Sequence, residues 1–139
     1  STNDAKNSAL DFVELINSKP IWINPKKHDE LISLTSHLPH ILSSALVSTA
    51  MQKHDIDELL DLASGGFDGA TRLSRTSPNM ISDMYLTNDL NVKDLVRDLI
   101  SELEKIILIE DEKVMINYLS KTVEWRRALA NKFGERKLS

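Results

Sequence analysis

The chain contains no cysteine, so it can form neither a disulfide framework nor a thiolate nucleophile, and that usage fits an intracellular, cytoplasmic setting. No apolar run approaches the roughly 20 residues of a membrane-spanning helix. Asp4, Lys6, Asp11 and Glu14 interrupt the N-terminal stretch in a way that a secretory signal does not tolerate. A concentrated positive stripe is missing too. The 17 Lys and Arg are interleaved with 21 Asp and Glu for a net charge of −4, which argues against nucleic acid as a partner. Glycine is scarce, and Gly65, Gly66 and Gly69 make up three of only four. Repeats and low-complexity tracts do not occur. What remains is a soluble chain of 139 residues, a length that suits one domain with a core of its own.

What is present is helical periodicity. Ala9, Leu10, Phe12, Val13, Leu15 and Ile16 lie at helical spacing with Asp11 and Glu14 on the other face. Lys19 to Pro25 is a short β-favouring run bracketed by prolines; a lone strand leaves a row of unpaired backbone groups, so it either pairs with something outside this chain or is an extended connector lying on the helices. From about Lys27 to about Lys53 the spacing of Leu31, Ile32, Leu34, Leu38, Ile41, Leu42, Ala45 and Leu46 predicts one long helix. Pro39 lies inside it, removes a backbone donor and crowds the Thr35 carbonyl, so a kink is expected near Ser36. Asp55 or Asp57 can cap a short helix that ends at Ser64-Gly65-Gly66. The clustered glycines predict positive φ or a close backbone approach; a phosphate loop is disfavoured because neither a preceding strand nor a following GK[ST] exists.

Ser77-Pro78 starts a further helix that closes at Asn88, and another runs from Asn91. The period falters at Glu110 to Glu112, after which Val114 to Phe133 forms the last helix, and Arg126 to Ser139 reads as a solvated tail or linker. The chain after residue 25 is therefore expected to be all-α. Leu95 to Ile109 becomes apolar almost all round, which fits burial either in its own domain or against a second subunit.

Polar residues concentrate in His28 to His40, HDELISLTSHLPH. His37 and His40 share a helix face. Three roles remain open for them: a metal pair with Asp29 as a third ligand, a hydrogen-bonded structural histidine, or an anion contact. Arg72, set among small and apolar residues, has the planar fork of a carboxylate or phosphate clamp. Arg75 is expected to be exposed. His54 is expected on the surface or at a helix C-terminus.

His28-Asp29, Ser36-His37-Leu38-Pro39-His40, Gly65-Gly66-Phe67, Thr71-Arg72-Leu73, Pro78 to Met80 and Asn88 together resemble the C-terminal helical domain of the prephenate dehydrogenase family of tyrosine biosynthesis. The likeness covers roughly residues 26 to 125. It implies a 6-phosphogluconate dehydrogenase-like helical dimerisation and substrate-binding domain at 26–139. Residues 1–25 are then the last helix and strand of an NAD-binding Rossmann domain. The implied chemistry is oxidative decarboxylation of prephenate to 4-hydroxyphenylpyruvate with hydride passing to NAD, NADP being the alternative, and tyrosine acting as feedback inhibitor. The resemblance assigns Arg72 to a substrate carboxylate, His40 to the pocket wall, Ser36 and His37 to supporting contacts and Asp29 to an ionic network at the pocket entrance. It places no catalytic residue, no cofactor-binding residue and no metal ligand in this chain, because the catalytic base and the GxGxxG loop belong to the Rossmann domain. The chain is thus expected to be inactive alone, and the intact homodimer an enzyme. Ile81 departs from the tryptophan that many relatives carry, which puts a cross-subunit contact in doubt, and an ACT domain beyond the tail is open. Alternatives are the corresponding domain of an arogenate dehydrogenase, that of another dehydrogenase of the same fold, or a non-catalytic helical interaction module.

Overall fold

A computed structural model describes residues 3–133. Among them the regular structure is entirely helical: α1 (Asn3–Leu15), α2 (Pro25–Ile32), a π turn (Ser33–His37), α3 (Leu38–Lys53), α4 (Ile56–Leu62), α5 (Gly65–Thr71), a 3-10 turn (Arg72–Arg75), α6 (Pro78–Thr87), α7 (Asp89–Ile107) and α8 (Glu112–Phe133). Two compact units divide at Val92/Lys93, inside α7.

In the first unit, α1 stops at Asn17, whose left-handed φ of 52° lets Ser18 N–H reach back to the Val13 carbonyl at 3.0 Å. The expected strand over Lys19 to Pro25 does not form. Its sequence has the local preference, but these residues have no partner strand among the described elements, and Ile21 and Trp22 stand exposed. The chain turns helical at Asn24, whose side chain accepts the Lys26 N–H at 2.9 Å, with Pro25 in the first turn where a missing N–H costs nothing.

The break predicted from Pro39 takes the form of a π turn. Leu38 N–H bonds the Ser33 carbonyl, five residues back, which widens the helix by one residue and eases the proline ring past the preceding carbonyls. Side chains close the gaps: Ser33 Oγ donates to Glu30 O at 2.7 Å and Thr35 Oγ1 to Leu31 O at 2.8 Å.

Beyond α3, Asp55 caps α4, and the Glu58 carboxylate accepts the Asp55 N–H at 3.4 Å to close a capping box. The glycine cluster departs from expectation. Gly65, Gly66 and Gly69 all lie within α5, and nothing approaches within 4 Å of where a Cβ would stand on any of them. They have neither the left-handed backbone nor the tight approach that would demand glycine. Pro78 opens α6 in its first turn and Asn88 ends it, as expected; Ser77 takes the N-cap position, but its side chain makes no capping hydrogen bond.

In the second unit, α7 and α8 are joined at residues 108–111, where Asp111 Oδ1 accepts the Val114 N–H at 3.0 Å. Tyr118 OH donates across to Glu102 Oε2 at 3.4 Å. The lysine beside it, Lys105, pairs with the same carboxylate and holds its pKa below the usual range. α8 continues as helix through Phe133, so the tail expected from Arg126 is helical that far, and Gly134 to Ser139 lie outside the described residues.

The expectation of a self-contained core is not met. Val92 is the buried hydrophobic residue among those described, whereas Leu10, Phe12, Leu34, Leu42, Ile100, Leu103, Ile107, Ile116, Leu119 and Trp125 all lie exposed. Apolar stripes of that extent on helices of regular period are unfinished interfaces.

Candidate functional site

The His28–His40 stretch spans the end of α2, the π turn and the start of α3, so the helix interruption lies at the centre of the polar cluster. His28 Nδ1 stands 3.1 Å from Asp29 Oδ1, with both side chains exposed. The Asp29 backbone is pinned from a distance: Asn88 Nδ2 donates to its carbonyl at 2.8 Å, and Asn91 Nδ2 donates to Asn88 Oδ1 at 2.7 Å. Two amides in series thereby tie α2 to the α6–α7 junction.

His40 is half-buried, and its Nδ1 lies 2.9 Å from the Ser36 carbonyl. A carbonyl only accepts, so Nδ1 carries the proton and Nε2 is the basic nitrogen of the neutral ring. The Ser36 carbonyl at the π turn therefore fixes the tautomer of the second histidine.

His37 behaves differently. It is 9% exposed and its Nδ1 has no hydrogen-bond partner. The ring enters a seam with Ile41, Ile81, Met84, Tyr85 and Val92 that is too narrow for a water molecule. Burial, above all, pushes its pKa down; His40 and His28 push the same way and Asp29 opposes them. His28, Asp29, His37 and His40 thus form one electrostatic group, although His37 faces the interior. Among the described residues no three His, Asp or Glu side chains gather as a metal set.

Arg72 opens the 3-10 turn and is exposed. The turn packs on α3 and α5. Thr71, buried, donates from Oγ1 to Phe67 O at 2.7 Å, and Ser74 N–H donates to the buried Ser43 Oγ at 3.0 Å. Arg72 and His40 therefore ride on two elements packed against each other. Ser43 and Ser74 were not among the expected site residues; the available signal was a small hydroxyl on the apolar side of α3, between Leu42 and Ala45. Arg75 is exposed as expected. His54 takes the C-cap position of α3, 3.3 Å from Glu58 Oε2.

Two concavities lie near these elements. One, about 690 Å³, is bordered by His54, Glu58, Leu59, Asp61, Leu62, Ala63 and Phe67. The other, about 390 Å³, has a hydroxyl-rich wall of Ser44, Ser74, Thr76, Ser82 and Tyr85 with Ile41, Pro78 and Ile81. Neither His40 nor Arg72 lines either of them. Ile81 does, and it also closes the His37 seam.

Residues 24–123 match the family described as prephenate dehydrogenase, dimerization domain. Prephenate dehydrogenase of Bacillus subtilis is 32% identical over 120 residues, covering 81% of this chain and 32% of that protein. Cyclohexadienyl dehydrogenase of Zymomonas mobilis is 25% identical over 124 residues, 86% of this chain and 42% of its own length. The chain thus spans about a third to two fifths of these relatives. A crystal structure of prephenate dehydrogenase from Aquifex aeolicus, in complex with hydroxyphenyl propionate and NAD+, superposes with a TM-score of 0.80 at 26% identity, over 92% of this chain and 46% of that one. Arogenate dehydrogenase from Synechocystis shares the fold, with a TM-score of 0.80 at 22% identity over 92% of this chain and 48% of that one. With the family matched across most of the helical region and the two histidines set around its π turn, the chain belongs to the prephenate dehydrogenase dimerization-domain family.

Proposed function

We propose that this chain is the dimer-forming and substrate-lining part of an NAD-dependent dehydrogenase that oxidatively decarboxylates prephenate to 4-hydroxyphenylpyruvate, in a cytoplasmic setting. The observation that carries the proposal is the family match over residues 24–123, which embraces the whole His28–His40 cluster and Arg72. The chemistry agrees with it. Prephenate carries two carboxylates and a ring hydroxyl; Arg72 is an exposed guanidinium able to take one carboxylate in bidentate fashion. His40, with its proton fixed on Nδ1, offers Nε2 to a hydroxyl or an acid. Ser36 lends its carbonyl to orient His40, and Asp29 with His28 makes the ionic rim. His37 supports the turn from inside.

These 139 residues hold no GxGxxG segment, and the glycines among the described residues, Gly65, Gly66 and Gly69, lie in α5 with no cradle around them. The dinucleotide is therefore assigned to a Rossmann domain outside these residues, with residues 1–25 as the end of that domain and 26–139 as the helical domain. The relatives named for prephenate, arogenate and cyclohexadienyl substrates share the six-membered diene acid, so the choice between the keto acid and its amino counterpart rests on the side chain end of the pocket.

Calorimetric titration of the chain with prephenate, arogenate and tyrosine, beside the Arg72→Ala chain, tests the proposal. Binding that disappears in Arg72→Ala is the expected result. Binding that survives the substitution unchanged removes Arg72 from the pocket.

A further inference from the structure

The π turn leaves one polar atom unaccounted for. His37 Nδ1 is enclosed and unpaired, although buried polar atoms in folded proteins nearly always find a partner. The residues that enclose the ring come from three helices: Ile41 of α3, Ile81, Met84 and Tyr85 of α6, and Val92 of α7. His37 thus fills the joint where the widened turn meets α6.

We propose that His37 is a proton-sensitive pin, which in its neutral form seals the π turn against α6 and on taking up a proton from solvent releases that seal. Protonation puts a second N–H on the ring and a positive charge into a seam that admits no water. Among the described residues no carboxylate lines the seam to take up that charge. Asp29 of α2 favours the cation but lies exposed and is paired with His28 at 3.1 Å. His28 of α2 and His40 of α3 oppose it. α6 presents Ile81, Met84 and the ring of Tyr85, and α7 presents Val92. Ser36 and His40, held together at the turn by their 2.9 Å hydrogen bond, are the residues whose placement the release disturbs.

The sign follows from linkage. Burial sets the folded pKa of His37 below the value of 6.5 for the free ring, so at pH values between the two the unfolded chain binds more protons. Stability is complete above that window and falls as pH is lowered through it.

Thermal unfolding of the chain from about pH 8 to about pH 5, beside His37→Met, reads this directly. The unaltered chain is expected to lose thermal stability below about pH 6.5 with net proton uptake on unfolding, and His37→Met is expected to lack that component. Equal pH slopes in the two chains overturn the proposal. Should His37→Met fail to fold, an NMR titration of the unaltered chain decides. A His37 pKa below 6.5, with the Ser36 and His40 amide signals moving alongside it, supports the pin; a pKa at or above that value, or amides that stay in place, refutes it. Substrate enters none of these measurements, so their outcome is independent of the dehydrogenase assignment.

Discussion

The buried hydroxyl of Ser43 accepts the backbone N–H of Ser74 at 3.0 Å, joining α3 to the 3-10 turn across 31 residues of sequence. Ser43 is 1% exposed, so its oxygen has no water to fall back on. The turn it anchors begins at Arg72, and the same hydrogen bond that closes the packing therefore sets where the guanidinium starts from.

Ser43→Ala leaves the Ser74 N–H unpaired in a partly buried position, a loss worth about 1–3 kcal/mol. Chemical denaturation is expected to show that drop. A midpoint unchanged from the parent chain would mean that solvent or a rearranged turn satisfies Ser74.

Asn88 offers a second long-range tie. Its amide holds the Asp29 carbonyl at 2.8 Å and is itself oriented by Asn91. Asn88→Ala removes both bonds and is expected to cost about 1 kcal/mol, since the Asp29 side is open to water that can replace the donor. Amide exchange should quicken at the C-terminal end of α2 more than in α8. Uniform exchange changes throughout the chain would show that Asn88 does not act locally.

Much of this architecture was legible from single residues whose chemistry leaves little choice. Pro39 forced an interruption of the long helix, Asp55 and Ser77-Pro78 marked helix starts, and the lapse at Glu110 to Glu112 marked the turn between α7 and α8. Those signals are local, and local geometry honours them. The run from Lys19 to Pro25 forms no strand because β-propensity describes a residue's fit to a neighbouring strand, and none is present among the described residues; of the two readings the sequence allowed, the extended connector is the one seen in this chain. The glycines misled because helical φ suits glycine as well as any residue; scarcity and clustering say nothing about the sign of φ. Burial misled most. A helical stripe such as Leu99, Ile100, Leu103, Ile106, Ile107 has the same period whether its cover comes from the same chain or from another. At the site, periodicity put His37 and His40 on one face but could not reveal that one ring turns into the apolar seam while the other is held by Ser36.

If the proposed function holds, Arg72→Ala in the full-length protein is expected to raise KM for prephenate by about tenfold to a hundredfold, the range of a lost charge-assisted hydrogen bond, and to leave the affinity for NAD unchanged. Steady-state kinetics with each substrate varied separately checks this. Equal losses for both substrates would point to a structural defect in the 3-10 turn, and Ser43→Ala supplies the control for that defect.

The exposed stripe on α7 and α8 carries the last prediction. Ile107 is 78% exposed, and Leu103, Ile116 and Leu119 lie near half exposure. Fully burying a side chain of this size contributes about 1.5–3 kcal/mol, and less where it is already half covered, so several of them from both copies in one contact can offset the entropic cost of association, estimated at about 4–15 kcal/mol. The chain is therefore expected to sediment as a dimer at micromolar concentration. Ile107→Glu places a charge into that contact and is expected to yield monomer, while Lys121→Glu, on an exposed polar position of α8, leaves the dimer intact. A monomeric parent chain would move the task of covering these helices to a partner of another kind. A dimer indifferent to Ile107→Glu would move the contact to the exposed apolar residues of the first unit, Leu34, Leu42 and Leu46 on the π turn and α3. The two variants together separate those outcomes, because both sit on the second unit and differ only in whether the side chain belongs to the stripe.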